Sequence, residues 1–156
     1  MNQRRITYSL VDFRSNGTKL SYVSEGEGSH VTLLLPGALG TARTDFTPQI
    51  DHLNSRGKLK MIVWDPPGYG ASRPPSRTWP TSPNHFYSRD ADAAVDLMSS
   101  IGEERFSVLG WSDGAITAMM IAGSPHFPTI DDITECKGFS PVSINCQNNS
   151  RSSIVI

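Results

Sequence analysis

The tightest constraint in this chain is the pentapeptide Gly110-Trp111-Ser112-Asp113-Gly114. It follows the apolar run Phe106-Ser107-Val108-Leu109 and precedes Ala115-Ile116-Thr117-Ala118-Met119-Met120-Ile121-Ala122. The short run before it and the longer one after it read as strand, sharp turn and helix, with Ser112 at the apex. In that setting G-x-S-x-G is a nucleophile elbow. The two glycines have a physical task, because the backbone folds so tightly that a Cβ at either position clashes. The turn lifts the serine hydroxyl clear of the sheet. It also places the following N–H groups at a helix N-terminus, where a developing oxyanion is stabilised.

The chain before the elbow fits a parallel sheet with flanking helices. Residues 6–13 and 18–24 read as a strand pair joined by Ser15-Asn16-Gly17. Val31-Thr32-Leu33-Leu34-Leu35 is too short for a helix and reads as a buried parallel strand. It ends in Pro36-Gly37-Ala38-Leu39-Gly40, and loops at the carboxyl ends of such strands carry ligands. Two readings of this loop stand: a plain tight turn, or the second half of an oxyanion hole. In the second, Ala38 or its neighbour Leu39 gives one N–H and Asp113 gives the other. Thr44 to Arg56 carries Phe46, Ile50 and Leu53 at helical spacing, with Thr41 or Thr44 as cap. Lys58 to Trp64 leads into a further strand. Asp65 to Pro75 is dense in Gly and Pro, a complex loop whose expected role is structural support. His85 to Ile101 is a helix with Phe86, Ala91, Ala94, Val95, Leu97, Met98 and Ile101 on its apolar face. Asp90, Asp92 and Asp96 are expected to face away, and Gly102 stops the helix. This alternation predicts an α/β fold with a mostly parallel sheet over residues 1–122.

The character changes at Gly123-Ser124-Pro125, which breaks the elbow helix. Residues 123–156 are rich in Ser, Pro, Asn and Asp and are expected to form an irregular tail. Thr129 to Thr134 and Ile154-Val155-Ile156 are its β-like fragments. A net charge of -1 gives no polyanion-binding surface, so a nucleic-acid partner is not expected. No apolar stretch approaches the length of a membrane span. Met1-Asn2-Gln3-Arg4-Arg5 lacks the apolar segment of a secretory signal and is thin as a mitochondrial leader. Cys136 and Cys146 have no clustered partners, which argues for a reduced intracellular compartment, cytoplasmic or mitochondrial. The same lack of clustering gives no metal site, and no cofactor is called for.

Three segments in order carry a family resemblance: Leu34-Leu35-Pro36-Gly37, Val63-Trp64-Asp65-Pro66-Pro67-Gly68-Tyr69-Gly70-Ala71-Ser72-Arg73-Pro74-Pro75, and the elbow itself. Together they resemble the α/β-hydrolase superfamily, over about residues 18–122. The resemblance implies a serine esterase cleaving small-molecule α-amino acid esters. It puts the nucleophile at Ser112 and, at Asp113, the acidic residue that holds the substrate's α-amino group. The physics of Asp113 admits two roles. A carboxylate beside the nucleophile opposes the oxyanion by roughly 4 kcal/mol at about 4 Å and an effective dielectric of 20, tolerable where the substrate brings a cation. Alternatively it complements the helix dipole, worth about 0.3–1 kcal/mol.

In this fold the triad runs Ser, then Asp or Glu, then His. After Ser112 the chain offers Asp113, Asp131, Asp132, Glu135 and His126. His126 stands 14 residues after Ser112 in a Pro-flanked segment, and His30, His52 and His85 precede the elbow as surface or packing residues. The expectation is therefore the N-terminal half of an α/β-hydrolase fold, an incomplete chain lacking the triad acid and His. The alternative is a catalytically inactive short isoform acting as an interaction or regulatory module. An unfinished sheet is expected to leave an edge unpaired, a site for aggregation or self-association.

Overall fold

Apolar runs too short for helices become the central strands of one sheet. The computed structural model describes residues 8–12, 19–52, 58–79, 83–124, 132–135 and 153–154. The strands are β1 (Tyr8–Asp12), β2 (Lys19–Glu25), β3 (His30–Leu35), β4 (Leu59–Asp65), β5 (Ser107–Gly110), β6 (Asp132–Glu135) and β7 (Ser153–Ile154). The helices are α1 (Ala42–Asp45), α2 (Thr47–His52), α3 (Pro83–Ser100) and α4 (Asp113–Gly123). The sheet order is β1-β2-β4-β3-β5-β6-β7. β1 runs antiparallel to β2, and β2 antiparallel to β4. The remaining pairings are parallel. The α/β fold with a mostly parallel sheet is as the alternation predicts.

The unbroken hydrophobicity of β3 and β4 has a direct cause, since both faces of these strands are covered. Leu33, Leu35, Ile62 and Trp64 join Val108 and the buried faces of α3 and α4 in one core. Their neighbours Leu34, Met61 and Val63 point the other way, onto Ala42, Phe46 and Ile50 of the α1–α2 segment. Alternate residues on a strand face opposite sides, so one apolar run serves two layers.

The helix expected from Thr44 starts earlier and is broken. Thr41 caps α1: its Oγ1 accepts from the Thr44 N–H at 3.2 Å, and its own N–H donates to Thr44 Oγ1 at 2.8 Å. Phe46 leaves the helical conformation, and α2 restarts at Thr47. Pro48 explains the break, because it cannot continue the N–H ladder and suits a first turn. Leu53 and Arg56 lie outside the described residues. α3 ends at the expected Gly102, with the Glu103 N–H closing back onto the Met98 carbonyl at 2.9 Å.

One expectation is corrected. Asp92 and Asp96 lie on the outer side of α3, but Asp90 is only 7% exposed. Its carboxylate turns inward to the Arg77 guanidinium at 2.6 Å. Beyond β5, β6 pairs with it from Val108↔Ile133 to Gly110↔Glu135, and β7 pairs with β6. β6 and β7 overlap the expected β-like fragments at residues 132–134 and 154, the rest of which lies outside the described residues, and the outermost described strands are β1 and β7.

Candidate functional site

Glycine spacing builds the elbow by letting backbone touch backbone. A Cβ on Gly110 stands 2.5 Å from the carbonyl carbon of Gly114, and one on Gly114 overlaps the Leu35 carbonyl. The first turn of α4 therefore lies directly on the end of β3. The Trp111 N–H donates to the Leu35 carbonyl at 3.0 Å, while the Gly114 and Ala115 N–H groups close back onto Trp111 and Ser112 at 2.9 Å. Ser112 is forced to φ 53°, ψ −118°. That is a strained backbone for a side-chain-bearing residue, stabilised by the packing around it. Ser112 is exposed, and although it holds the N-cap position its hydroxyl makes no capping hydrogen bond. The oxygen is free for other chemistry.

The loop after β3 comes to the same place. A Cβ built on Gly37 lies 3.2 Å from Ser112 Cβ and 3.0 Å from Trp111 Cδ1. The Gly40 N–H donates to the Gly37 carbonyl at 3.0 Å, a tight turn, but one set against the nucleophile elbow. Ala38 and Leu39 are exposed at its tip, and Leu39 holds φ 60°. Inside the loop sits the carboxylate of Asp45. Its Oδ2 accepts from the Gly37 N–H at 2.9 Å, and its Oδ1 accepts from Thr44 Oγ1 at 2.7 Å. Ala38, Leu39, Ser112 and Asp113 thus stand together at the carboxyl end of the sheet.

Asp113 begins α4, half-buried, with the Tyr87 phenol of α3 within hydrogen-bonding reach. Desolvation, then the Asp113 charge and that hydrogen bond, push the Tyr87 hydroxyl above its ordinary range. Behind it, burial raises the Asp90 carboxyl against the opposing pull of Arg77, and the Asp113 charge raises it further. Arg77 is held by two rings, a carbonyl and a carboxylate. Its guanidinium lies over the rings of Tyr69 and Phe86, 4.7 and 3.9 Å from their centroids, and donates to the Pro67 carbonyl at 3.0 Å. Asp65 ends β4 and ties two loops together, accepting from the Ala42 N–H at 2.9 Å and the Ala71 N–H at 2.8 Å. The Asp65–Pro75 segment is support, as its composition suggests.

The histidines are placed elsewhere or undescribed. His30 shares a 3.0 Å hydrogen bond with Ser107 at the amino end of the sheet. His52 and His85 are exposed on α2 and α3, and His126 lies outside the described residues. Also at the amino end is an open cavity of about 820 Å³ lined by Glu25, Glu27, Lys60 and Glu103, with Lys60 and Glu103 ion-paired. Among the described residues no cluster of His, Cys, Asp or Glu is arranged to hold a metal, and no helix is long and apolar enough to cross a membrane. Sequence reasoning missed Asp45 and Tyr87. For Asp45 the available signal was an acid closing a Gly-rich loop's first helical turn; for Tyr87 there was none.

Comparison with known proteins gives the family and the fold. Residues 32–146 match the alpha/beta hydrolase family. Serine hydrolase BPHL from Homo sapiens and from Mus musculus are each 50% identical to the chain over 107 residues, 69% of this chain and 35% of theirs. The chain thus spans about a third of the length of these relatives. A hydrolase from Pseudomonas aeruginosa superposes with a TM-score of 0.69 at 20% identity, covering 83% of this chain and 45% of that one. An epoxide hydrolase mutant of Vigna radiata gives 0.67 at 22% identity, with 85% and 39% covered. At such identities the likeness is one of fold.

Proposed function

The chain belongs to the alpha/beta hydrolase family, and on that premise we propose that it carries the nucleophile of a serine hydrolase acting on small α-amino acid esters. Within the family its motifs resemble those of valacyclovir hydrolase, the biphenyl hydrolase-like protein, and the 50% identity to serine hydrolase BPHL supports that likeness. The observation that carries the reading is Ser112. It is exposed on a strained turn, released from capping its own helix, and faced by the Gly37–Gly40 loop.

In this reading Ser112 Oγ bonds to the ester carbonyl carbon as the carbonyl π pair moves onto oxygen. The turn uses the N–H groups of Gly114 and Ala115, so the Asp113 N–H is the first-turn donor left for that oxyanion. Ala38 or Leu39 gives the second donor from the facing loop. The alcohol leaves, and water then releases the acid from the acyl-serine. The Asp113 carboxylate opposes the oxyanion unless a cation lies between them, and an α-ammonium group beside the ester carbonyl supplies one. Asp113 is therefore assigned to the substrate amino group. A general base must take the Ser112 proton and pass it to the departing alkoxide.

The test is a fluorophosphonate probe on the purified 156-residue protein, with the labelled site mapped by mass spectrometry. Labelling at Ser112 that disappears in Ser112→Ala supports the reading. Wild type and Ser112→Ala that are indistinguishable overturn it and favour an inactive interaction module.

A further inference from the structure

Asp45 has no part in the chemistry just described, yet its carboxylate sits inside the loop that faces Ser112. Three observations fix it there. Its Oδ2 takes the Gly37 N–H at 2.9 Å. Its Oδ1 is held by Thr44 Oγ1 at 2.7 Å, and Thr44 belongs to the capping box on Thr41. The space beside Gly40 that a Cβ needs is filled by the same carboxylate, whose Cγ lies 2.8 Å from the Cβ position. The loop and the carboxylate are therefore complementary shapes: glycine at 40 makes the hollow, and Asp45 fills it.

The consequence concerns which amides remain. Gly37 N–H is engaged by Asp45 and Gly40 N–H by the Gly37 carbonyl. Among the described residues of the loop, Ala38 and Leu39 keep the N–H groups left for a ligand. Leu39 holds φ 60°, a conformation that persists only where its surroundings impose it. We propose that Asp45 is a positioning residue. By gripping Gly37 and filling the hollow at Gly40, it keeps the 36–40 loop in the shape that presents the Ala38 and Leu39 N–H groups beside Ser112. This deepens the assignment of Ser112 as nucleophile and rests on it for its catalytic meaning. The loop geometry can be tested without it.

The test combines backbone relaxation with probe kinetics on the full chain. In Asp45→Ala the order parameters of the Ala38 and Leu39 amides are expected to fall from about 0.85 to below about 0.6. The limiting rate of fluorophosphonate labelling at Ser112 is expected to fall about a hundred-fold, with the half-saturating probe concentration unchanged, as for loss of an oxyanion donor. Asp45→Asn keeps an acceptor for Gly37 and a partner for Thr44, and restores both readouts. Gly40→Ala, which expels the carboxylate without deleting it, reproduces the loss and decides the matter should Asp45→Ala not fold. Unchanged order parameters in Asp45→Ala or Gly40→Ala overturn the proposal, as does a labelling defect confined to half-saturation. If wild-type Ser112 is never labelled, the nucleophile reading falls, and the order parameters alone still decide the role of Asp45.

Discussion

Of the connections that leave the carboxyl end of the sheet, those after β4 and β5 are held by opposite means. The one after β4 is held by side chains. Asp65 binds amides on both sides of it, Ser72 Oγ donates to the Asp65 carbonyl at 2.6 Å and accepts the Ser21 N–H at 2.8 Å, and Arg73 Nε donates to the Gly68 carbonyl at 2.8 Å. Arg77 closes the far end onto Asp90. The one after β5 is held by the absence of side chains, at Gly110 and Gly114, so that backbone packs on backbone. The first connection turns Asp65, Ser72, Arg73 and Arg77 inward onto its own backbone and neighbours. The second leaves Ser112 and the 45%-exposed Trp111 open, with Asp113 half-open beside them. A segment rigid through its backbone has side chains to spare for a ligand, and that separates a support from a site.

If this contrast is correct, different substitutions break the two connections. Gly114→Val drives side-chain atoms into the Leu35 carbonyl and is expected to cost about 4 kcal/mol or more, leaving little folded protein in urea titration. A near-wild-type midpoint would mean that β3 and α4 can separate freely. Arg77→Ala comes next. It leaves the Asp90 carboxylate buried without its main partner, at a cost of about 3 kcal/mol. A loss below about 1 kcal/mol in the same titration would mean that the β4 connection is held chiefly by Asp65.

These mechanisms differ in how far the sequence reveals them. The elbow is legible because its requirements are local: two glycines, a serine between them, an apolar run on each side. β3 and β4 are legible because burial on both faces suppresses alternation. Thr41 and Gly102 are legible as caps because each acts within a few residues. Asp90 is not legible, because its partner lies 13 residues back in a loop with no periodicity to align the two. On helical spacing alone an acid there belongs on the solvent face. Asp45 is hidden for a related reason, since its target is a hollow that exists only once the 36–40 turn has formed. β6 is legible only in part, as the end of the β-like fragment Thr129 to Thr134, because four residues carry little pattern and the β5 ladder sets their place. The break at Phe46 was available in Pro48, but the Phe46, Ile50, Leu53 spacing outweighed it.

The smaller effects sharpen the contrast. Asp113→Asn is expected to shift stability by no more than about 1 kcal/mol, because the amide oxygen still accepts from the Tyr87 phenol at this half-buried position. It should nonetheless remove about a ten-fold preference of Ser112 for a diphenyl phosphonate bearing an α-ammonium group over its desamino counterpart, the ratio set by one charge-assisted contact. Comparison of the two labelling rates in wild type and variant checks this. A large stability loss with the preference intact would make Asp113 a structural acid like Asp90.

The smallest effect is in the pH dependence of the β4 connection. Burial raises the Asp65 carboxyl above its ordinary value of 3.8, outweighing the Ala71 and Ala42 amides that pull it down. The folded state therefore binds this proton more tightly than the unfolded chain does. The stabilisation linked to that proton is fully present below about pH 3.8 and is lost as pH rises through the raised folded value. The cost of Asp65→Ala relative to wild type should accordingly be larger at acid pH than at pH 7, read from paired urea midpoints. Ser112→Ala should show no such change, because no charge is removed. A cost for Asp65→Ala that instead grows toward neutral pH would show that the two amides dominate over burial. The β4 connection would then be held by an anion in a nest of N–H groups, the same device that the elbow is proposed to offer an oxyanion.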